Sequence, residues 1–271
     1  MKDYKLQGNP VVESPVVGNL IYDELGQAVV RKVNEQFKDV QGIQYSQRFK
    51  KNQTITHSNT PRASAINQIL KGLGVNAHLL SDKEVVQYWD AIPEINSTYA
   101  DTDSIVIYSN EGPNEQLRQK VLGIIGKDST KVPLVVSGLG VEKEGDGFTF
   151  TETGNILVRE APYLKQDGRV SYNSETEELE SSEEGVKVWT PGNQSGLRGL
   201  YRDGNGVLIA RGDNLLYADE NGRVQLIQDP KGLVEKISEL QLSLENDKNA
   251  RIAELTQRHE KAQKYLRTGQ L

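Results

Sequence analysis

Nine polar residues stand where four apolar, β-branched runs stop, and their types suit the capture of a small anion. They are His57, Ser58, Asn59, Arg62, Ser81, Asp82, Ser109, Asn110 and Ser137, and the runs before them are 54–57, 75–80, 104–108 and 132–136. If all four runs are parallel strands, these groups line one sheet edge. There hydroxyls, amides and one guanidinium, helped by helix N-termini, could hold a phosphate or a carboxylate. Ser, Asn and Asp are equally the preferred helix caps and turn residues, so plain capping accounts for the same positions.

Acid–base chemistry has fewer carriers. His57, His78 and His259 are the only imidazoles. His57 could approach Asp82 or Asp103 across the sheet edge as a base with an orienting carboxylate. Neighbours in a strand point to opposite faces, which disfavours a pair between His57 and Ser58. Asp101 and Asp103 read as shaping the loop before the third strand, with a single magnesium ion as the alternative. No glycine-rich phosphate loop and no Gly-x-Gly-x-x-Gly follow the first strand, and Gly138-Leu139-Gly140 alone is a weak signal. With no cysteine, thiolate metal sites, disulfides and cysteine nucleophiles are excluded. No cofactor or metal centre is indicated.

The elements that must position these residues follow from helix starts. Asn59-Thr60-Pro61 places a cap before a proline in the first turn, followed by Ala63, Ile66, Ile69 and Leu70 and closed by Gly72 and Gly74. Ser81-Asp82-Lys83-Glu84 is a capping box leading into Val85, Val86, Tyr88 and Trp89, with a stop before Pro93. A third helix should carry Leu117, Val121, Leu122 and Ile125. The steps from Ser81 to Ser109 and from Ser109 to Ser137 are both 28 residues, close to one βαβ unit. The expected class is therefore α/β, a small, mainly parallel, Rossmann-like sheet.

Around that core, residues 1–43 read as an N-terminal arm and an amphipathic helix with Ile21, Leu25, Val29, Val33 and Phe37 on one stripe. The α/β core is expected over 44–141. An antiparallel β region follows over 142–228, with a hairpin pairing 148–151 to 156–159, an acidic loop at 173–185, and a meander of strands at 197–202, 207–211, 215–218 and 223–228. The acidic stretch lacks the alternating oxygen ligands and central glycine of a calcium loop, so it reads as solvated chain.

Residues 229–271 read as a helical tail. Leu233, Ile237, Leu240 and Leu244 recur at steps of four and three, and so do Ile252, Leu255, His259, Ala262 and Leu266. The polar tract 246–249 between them favours a helical hairpin over one long coiled-coil helix.

The net charge of −6 across 271 residues argues against general nucleic-acid binding. No run approaches the roughly 20 apolar residues of a membrane span, and the N-terminus lacks a secretory pattern, so a cytoplasmic location is expected. The functional expectation is a non-catalytic binding or assembly protein. It would self-associate or meet a protein partner through Leu233, Ile237, Leu240, Leu244, Ile252, Leu255 and Leu266. The alternative is an enzyme or receptor for a small phosphorylated or carboxylated ligand at the strand-end edge.

Overall fold

The computed structural model describes residues 16–19, 24–43, 57–74, 77–88, 99–218, 222–228, 242, 246, 248–261 and 263. In chain order it starts with strand β1 (Val16–Asn19), helices α1 (Glu24–Gln36) and α2 (Thr60–Gly72), strand β2 (Ala77–Leu79) and helix α3 (Asp82–Gln87). Strand β3 (Ala100–Ile107), helix α4 (Glu115–Ile124) and strands β4 (Leu134–Ser137), β5 (Gly140–Glu144), β6 (Gly147–Thr151) and β7 (Leu157–Glu160) come next. A 3-10 turn at Pro162–Leu164 leads into β8 (Gly168–Asn173), β9 (Glu178–Ser181), β10 (Val186–Trp189), β11 (Leu197–Arg202), β12 (Val207–Gly212) and β13 (Arg223–Gln228).

Strand β3 explains the architecture, because it is buried on both faces. Ile105 and Ile107 enter one apolar core, while Val106 and the following Tyr108 enter another. Eight strands in the order β7-β4-β3-β11-β12-β10-β8-β9 make a curled sheet, a half-barrel. Its inner core includes Val106, Tyr108, Val135, Val188, Leu200 and Leu208, plugged by Val85 and Val86 of α3 and by Leu164 of the 3-10 turn. On the outer face, α1, α2, α4 and the β5–β6 hairpin bury Val29, Phe37, Ile66, Leu70, Val121 and Phe150 against Ile105, Ile107, Leu134 and Val136.

This corrects the expected small parallel Rossmann-like sheet. Strands β3 and β4 are antiparallel, with Ile105 opposite Val136 and Ile107 opposite Leu134. Strand β4 therefore begins at the end where β3 stops: α4 leads away and residues 126–133 return. Strand β2 pairs with β13, antiparallel, rather than with β3. Among the described residues parallel pairing is limited to β10 with β12, two residues of β13 with β3, and an isolated bridge between Asn110 and Ser195. A strand followed by a polar stop and a helix does not specify direction. Here the place of a parallel neighbour is taken by β11, which arrives from far along the chain to pair with β3.

Other expectations also shift. Phe148 to Thr151 pairs with β5 instead of with 156–159, because Glu144-Gly145-Asp146-Gly147 makes the tighter turn, with Gly145 at φ +61. Strand β7 pairs with β4. Within the acidic stretch, Glu178–Ser181 is an edge strand, held on β8 and buried only at its single aliphatic residue, Leu179. Charged edges of this kind resist pairing with other chains. Leu215 to Ala218 forms no strand, and β13 leaves the expected meander to pair with β1, β2 and β3.

Of the four runs, 54–56 and 75–76 lie outside the described residues, and His57 stands in a bend at φ +59 rather than in a strand. In the tail, Asn246, Lys248 and Asn249 are helical where a hairpin turn was expected, and Asp247 lies outside the described residues. Leu233, Ile237, Leu240, Leu244 and Leu266 lie outside the described residues. Among the described residues no helix is long and apolar enough to cross a membrane.

Candidate functional site

Helix α2 crosses the outer face of the sheet and leaves a cleft of about 540 Å³ between its polar side, β2, and the turn that follows β4. Asn67, Gln68 and Lys71 reach this cleft from α2, His78 from β2, Ser81 and Glu84 from the start of α3, and Asp103 from β3. The helix holds this position because Asn59 caps it, accepting the Arg62 amide at 2.9 Å, and because Ala63, Ile66 and Leu70 are fully buried on its other side.

Asp103 is the floor of the cleft. Its Oδ2 accepts from Asn67 Nδ2 at 2.8 Å and from the Gly138 amide at 3.2 Å. Asn67 is itself fixed, since its Oδ1 accepts the Leu79 amide at 2.7 Å. Burial pushes the Asp103 carboxyl up to about 6; the Gly138 and Asn67 donors oppose that shift, and the charges of Glu84 and Asp82 add to it. A carboxyl poised there changes its charge near neutral pH.

At the rim, His78 Nε2 lies 2.8 Å from Glu84 Oε1. The hydrogen bond to Glu84 raises the imidazole above its usual value against the effect of burial. Burial would raise Glu84, but its hydrogen bond and charge interaction with His78, with the Ser81 amide and hydroxyl, hold it below the usual range. Lys71 stands on the exposed side of α2. Lys71 and the His78–Glu84 pair thus stand at the rim and the Asp103 carboxyl at the floor.

Behind the cleft, on the inner face of the half-barrel, lies a second polar cluster. Ser104 and Ser137 are cross-strand neighbours with hydroxyls 2.8 Å apart. Asp82, fully buried, pairs with Arg159 Nη2 and accepts from Tyr163 OH at 3.2 Å. Arg159 also stands 3.8 Å from Glu178 of β9, so this ion cluster spans the open seam between the two edge strands β7 and β9. Burial works against the Arg159 charge, but Asp82 holds its pKa above the ordinary value.

The nine sequence candidates thus fall into three places. Ser81, Asp82 and Ser137 meet at and behind the cleft. Ser58 and Asn59 line a separate pocket at the start of α2, while the Arg62 guanidinium donates to the carbonyls of Ile43 and His57. Ser109 and Asn110 lie exposed at the end of β3. There the buried Arg118 donates to the carbonyls of Tyr108 and Ser109 at 3.1 and 3.2 Å, and Asn110 Nδ2 donates to the Asn193 carbonyl.

The sequence does not single out Asn67, Gln68, Lys71 or Glu84 as site residues, and it weighs Asp103 only as a partner for His57 or a magnesium ligand, not as the floor of this cleft. The available signal was spacing: Asn67 and Lys71 stand four apart on one helix face. Among the described residues no three His, Asp or Glu side chains gather as metal ligands.

The tail is unlike the body. Every residue of the helical stretch 248–261 is exposed, including Ile252 and Leu255 at 51% and 59%. Comparison with known families, with characterised proteins and with solved structures found no match to this chain.

Proposed function

We propose that this is a non-catalytic assembly protein in which the C-terminal helix joins copies of the chain. The observation that carries the reading is the exposure of Ile252 and Leu255 on a helix whose described residues bury nothing. Isolated helices are marginal in water, and most helical stability comes from packing an apolar face. Ile252, Leu255 and His259 recur at steps of three and four, and the same spacing continues through Ala262 and Leu266. A second copy offers a matching stripe of the same length. Light scattering of the full chain beside one ending at Asp229 tests this. An assembled full chain and a monomeric truncation support it; two monomers count against it.

The cleft favours a second reading, a receptor for a small carboxylated or phosphorylated molecule. Lys71 and His78 would meet the acidic group at the rim, and Asp103 a hydroxyl or amine at the floor. A ligand bound only by the folded state raises the melting temperature. A thermal-shift screen of sugar phosphates and hydroxy acids should show a rise that Lys71→Met removes. No response to any of them would count against this reading.

A further inference from the structure

A second pocket, of about 370 Å³, opens at the N-terminus of α2 and is lined by Ser58, Tyr99, Asp101, Tyr201, Asp213 and Tyr217, with backbone from Gly199 and Gly212. Its volume lies within the range of small-molecule sites, about 300–1,000 Å³. The glycines build it. A Cβ on Gly199 would come within 2.7 Å of Thr60 Oγ1, so only glycine lets the first turn of α2 rest directly on β11.

Three observations select the ligand. Ser58 is 2% exposed and its hydroxyl has no hydrogen-bond partner among the described residues. A buried hydroxyl left unpaired is destabilising, and Ser58 belongs to the lining of this pocket. Next, the charged groups around the pocket are of both signs. Arg198, itself buried, stands 3.7 Å from Asp213, and the partial positive charge of the α2 N-terminus faces the same space as Asp101. An anion would meet two carboxylates. A quaternary ammonium could neither donate to nor accept from the Ser58 hydroxyl.

Finally, the walls are aromatic. The rings of Tyr99 and Tyr201 lie 6.0 Å apart at 52°, and Tyr217 is largely exposed at the mouth. Such faces take the C–H side of a ring, while carboxylates accept from its hydroxyls. Burial pushes the Tyr201 phenol up to about 12, so it remains a donor at neutral pH.

We propose that this pocket binds a neutral polyhydroxylated ring, a pyranose. It is distinct from the cleft under α2 and independent of what the tail does. Saturation-transfer NMR on the full chain, with D-glucose, D-galactose, D-mannose and N-acetylglucosamine as probes and choline and inorganic phosphate as controls, tests it. Transfer to the ring protons of at least one sugar is expected, weakened at least tenfold in both Ser58→Ala and Tyr99→Ala. Tyr99 is 38% exposed, so its removal leaves the core intact, and thermal melts of both variants check the fold. No transfer to any of the four sugars overturns the proposal. Transfer unchanged by the two substitutions overturns it too, as does binding of choline or phosphate in place of sugar.

Discussion

Gly138 donates its amide to Asp103 Oδ2 at 3.2 Å, just beyond the paired part of β3 and β4, where both strands reach the cleft. Burial nevertheless dominates and lifts the carboxyl to about 6. An unfolded aspartate titrates near 3.9, so the folded chain holds this proton more tightly. The contribution of Asp103 to stability is therefore full below about pH 4 and declines as pH rises to about 6. Above that it is a constant penalty. Asp103→Asn keeps an acceptor for Asn67 and Gly138 but removes the charge. Urea unfolding at pH 4 and pH 7 should show the variant gaining about 3 kcal/mol relative to the parent over that interval, two pKa units at about 1.4 each.

Gly138 itself is constrained twice. It sits at φ +75, and a Cβ there would lie 2.4 Å from the Asn155 carbonyl oxygen, a backbone atom with little freedom to move. Gly138→Ala should cost more than the roughly 1 kcal/mol of a left-handed residue alone, read as a shift in the urea midpoint. Gly123→Ala, in open space on α4, should be neutral or stabilising by comparison.

Asp82 and Arg159 close the seam of the half-barrel where β7 and β9 do not pair. Removing one partner leaves a buried charge without compensation, which typically costs about 3–5 kcal/mol. Arg159→Met should destabilise by that order. The double variant Asp82→Asn, Arg159→Met should be less destabilised than the sum of the singles, and a double-mutant cycle measures the difference.

The His78–Glu84 pair works in a different window. A raised imidazole stabilises fully below its unfolded value of about 6.5 and loses that as pH climbs through its folded pKa. The lowered Glu84 loses its contribution in acid. The pair is therefore strongest at mildly acid pH. His78→Gln should destabilise more at pH 6 than at pH 8.5, by less than about 1 kcal/mol because the imidazole is half exposed to screening solvent.

Local signals in this chain were legible and directions were not. The Asn59 cap, the Ser81–Glu84 capping box and the stripe of Val29, Val33 and Phe37 all lie where the residues indicated, because each depends on neighbours within a turn or two. Strand direction depends on partners such as Thr102 and the Leu200 carbonyl, joined at 2.6 Å across 98 positions, and nothing near Thr102 encodes that. In the sequence Asp103 reads as part of the loop before the third strand, because Asn, Ser, Thr and Asp crowd the residues ahead of that run. Here β3 begins at Ala100 and tolerates the carboxyl because Asn67 and Gly138 donate to it. The sequence groups Ser58, Ser81 and Ser137 on one edge, but Ser58 lies at the start of α2, outside the sheet, while Ser81 and Ser137 line the cleft further along that helix.

The central claim is that the tail's apolar stripe joins copies. Ile252 and Leu255 lie on that stripe, whereas Ala250 and Gln257 lie on the opposite side of the same exposed helix. Sedimentation equilibrium should be run on the parent, on Ile252→Glu/Leu255→Glu, and on Ala250→Glu/Gln257→Glu, which adds the same charge off the stripe. The expected result is an assembled parent, an assembled off-stripe variant, and a stripe variant at the mass of one chain. A parent at single-chain mass across all concentrations, or a stripe variant assembled as fully as the parent, would contradict the account.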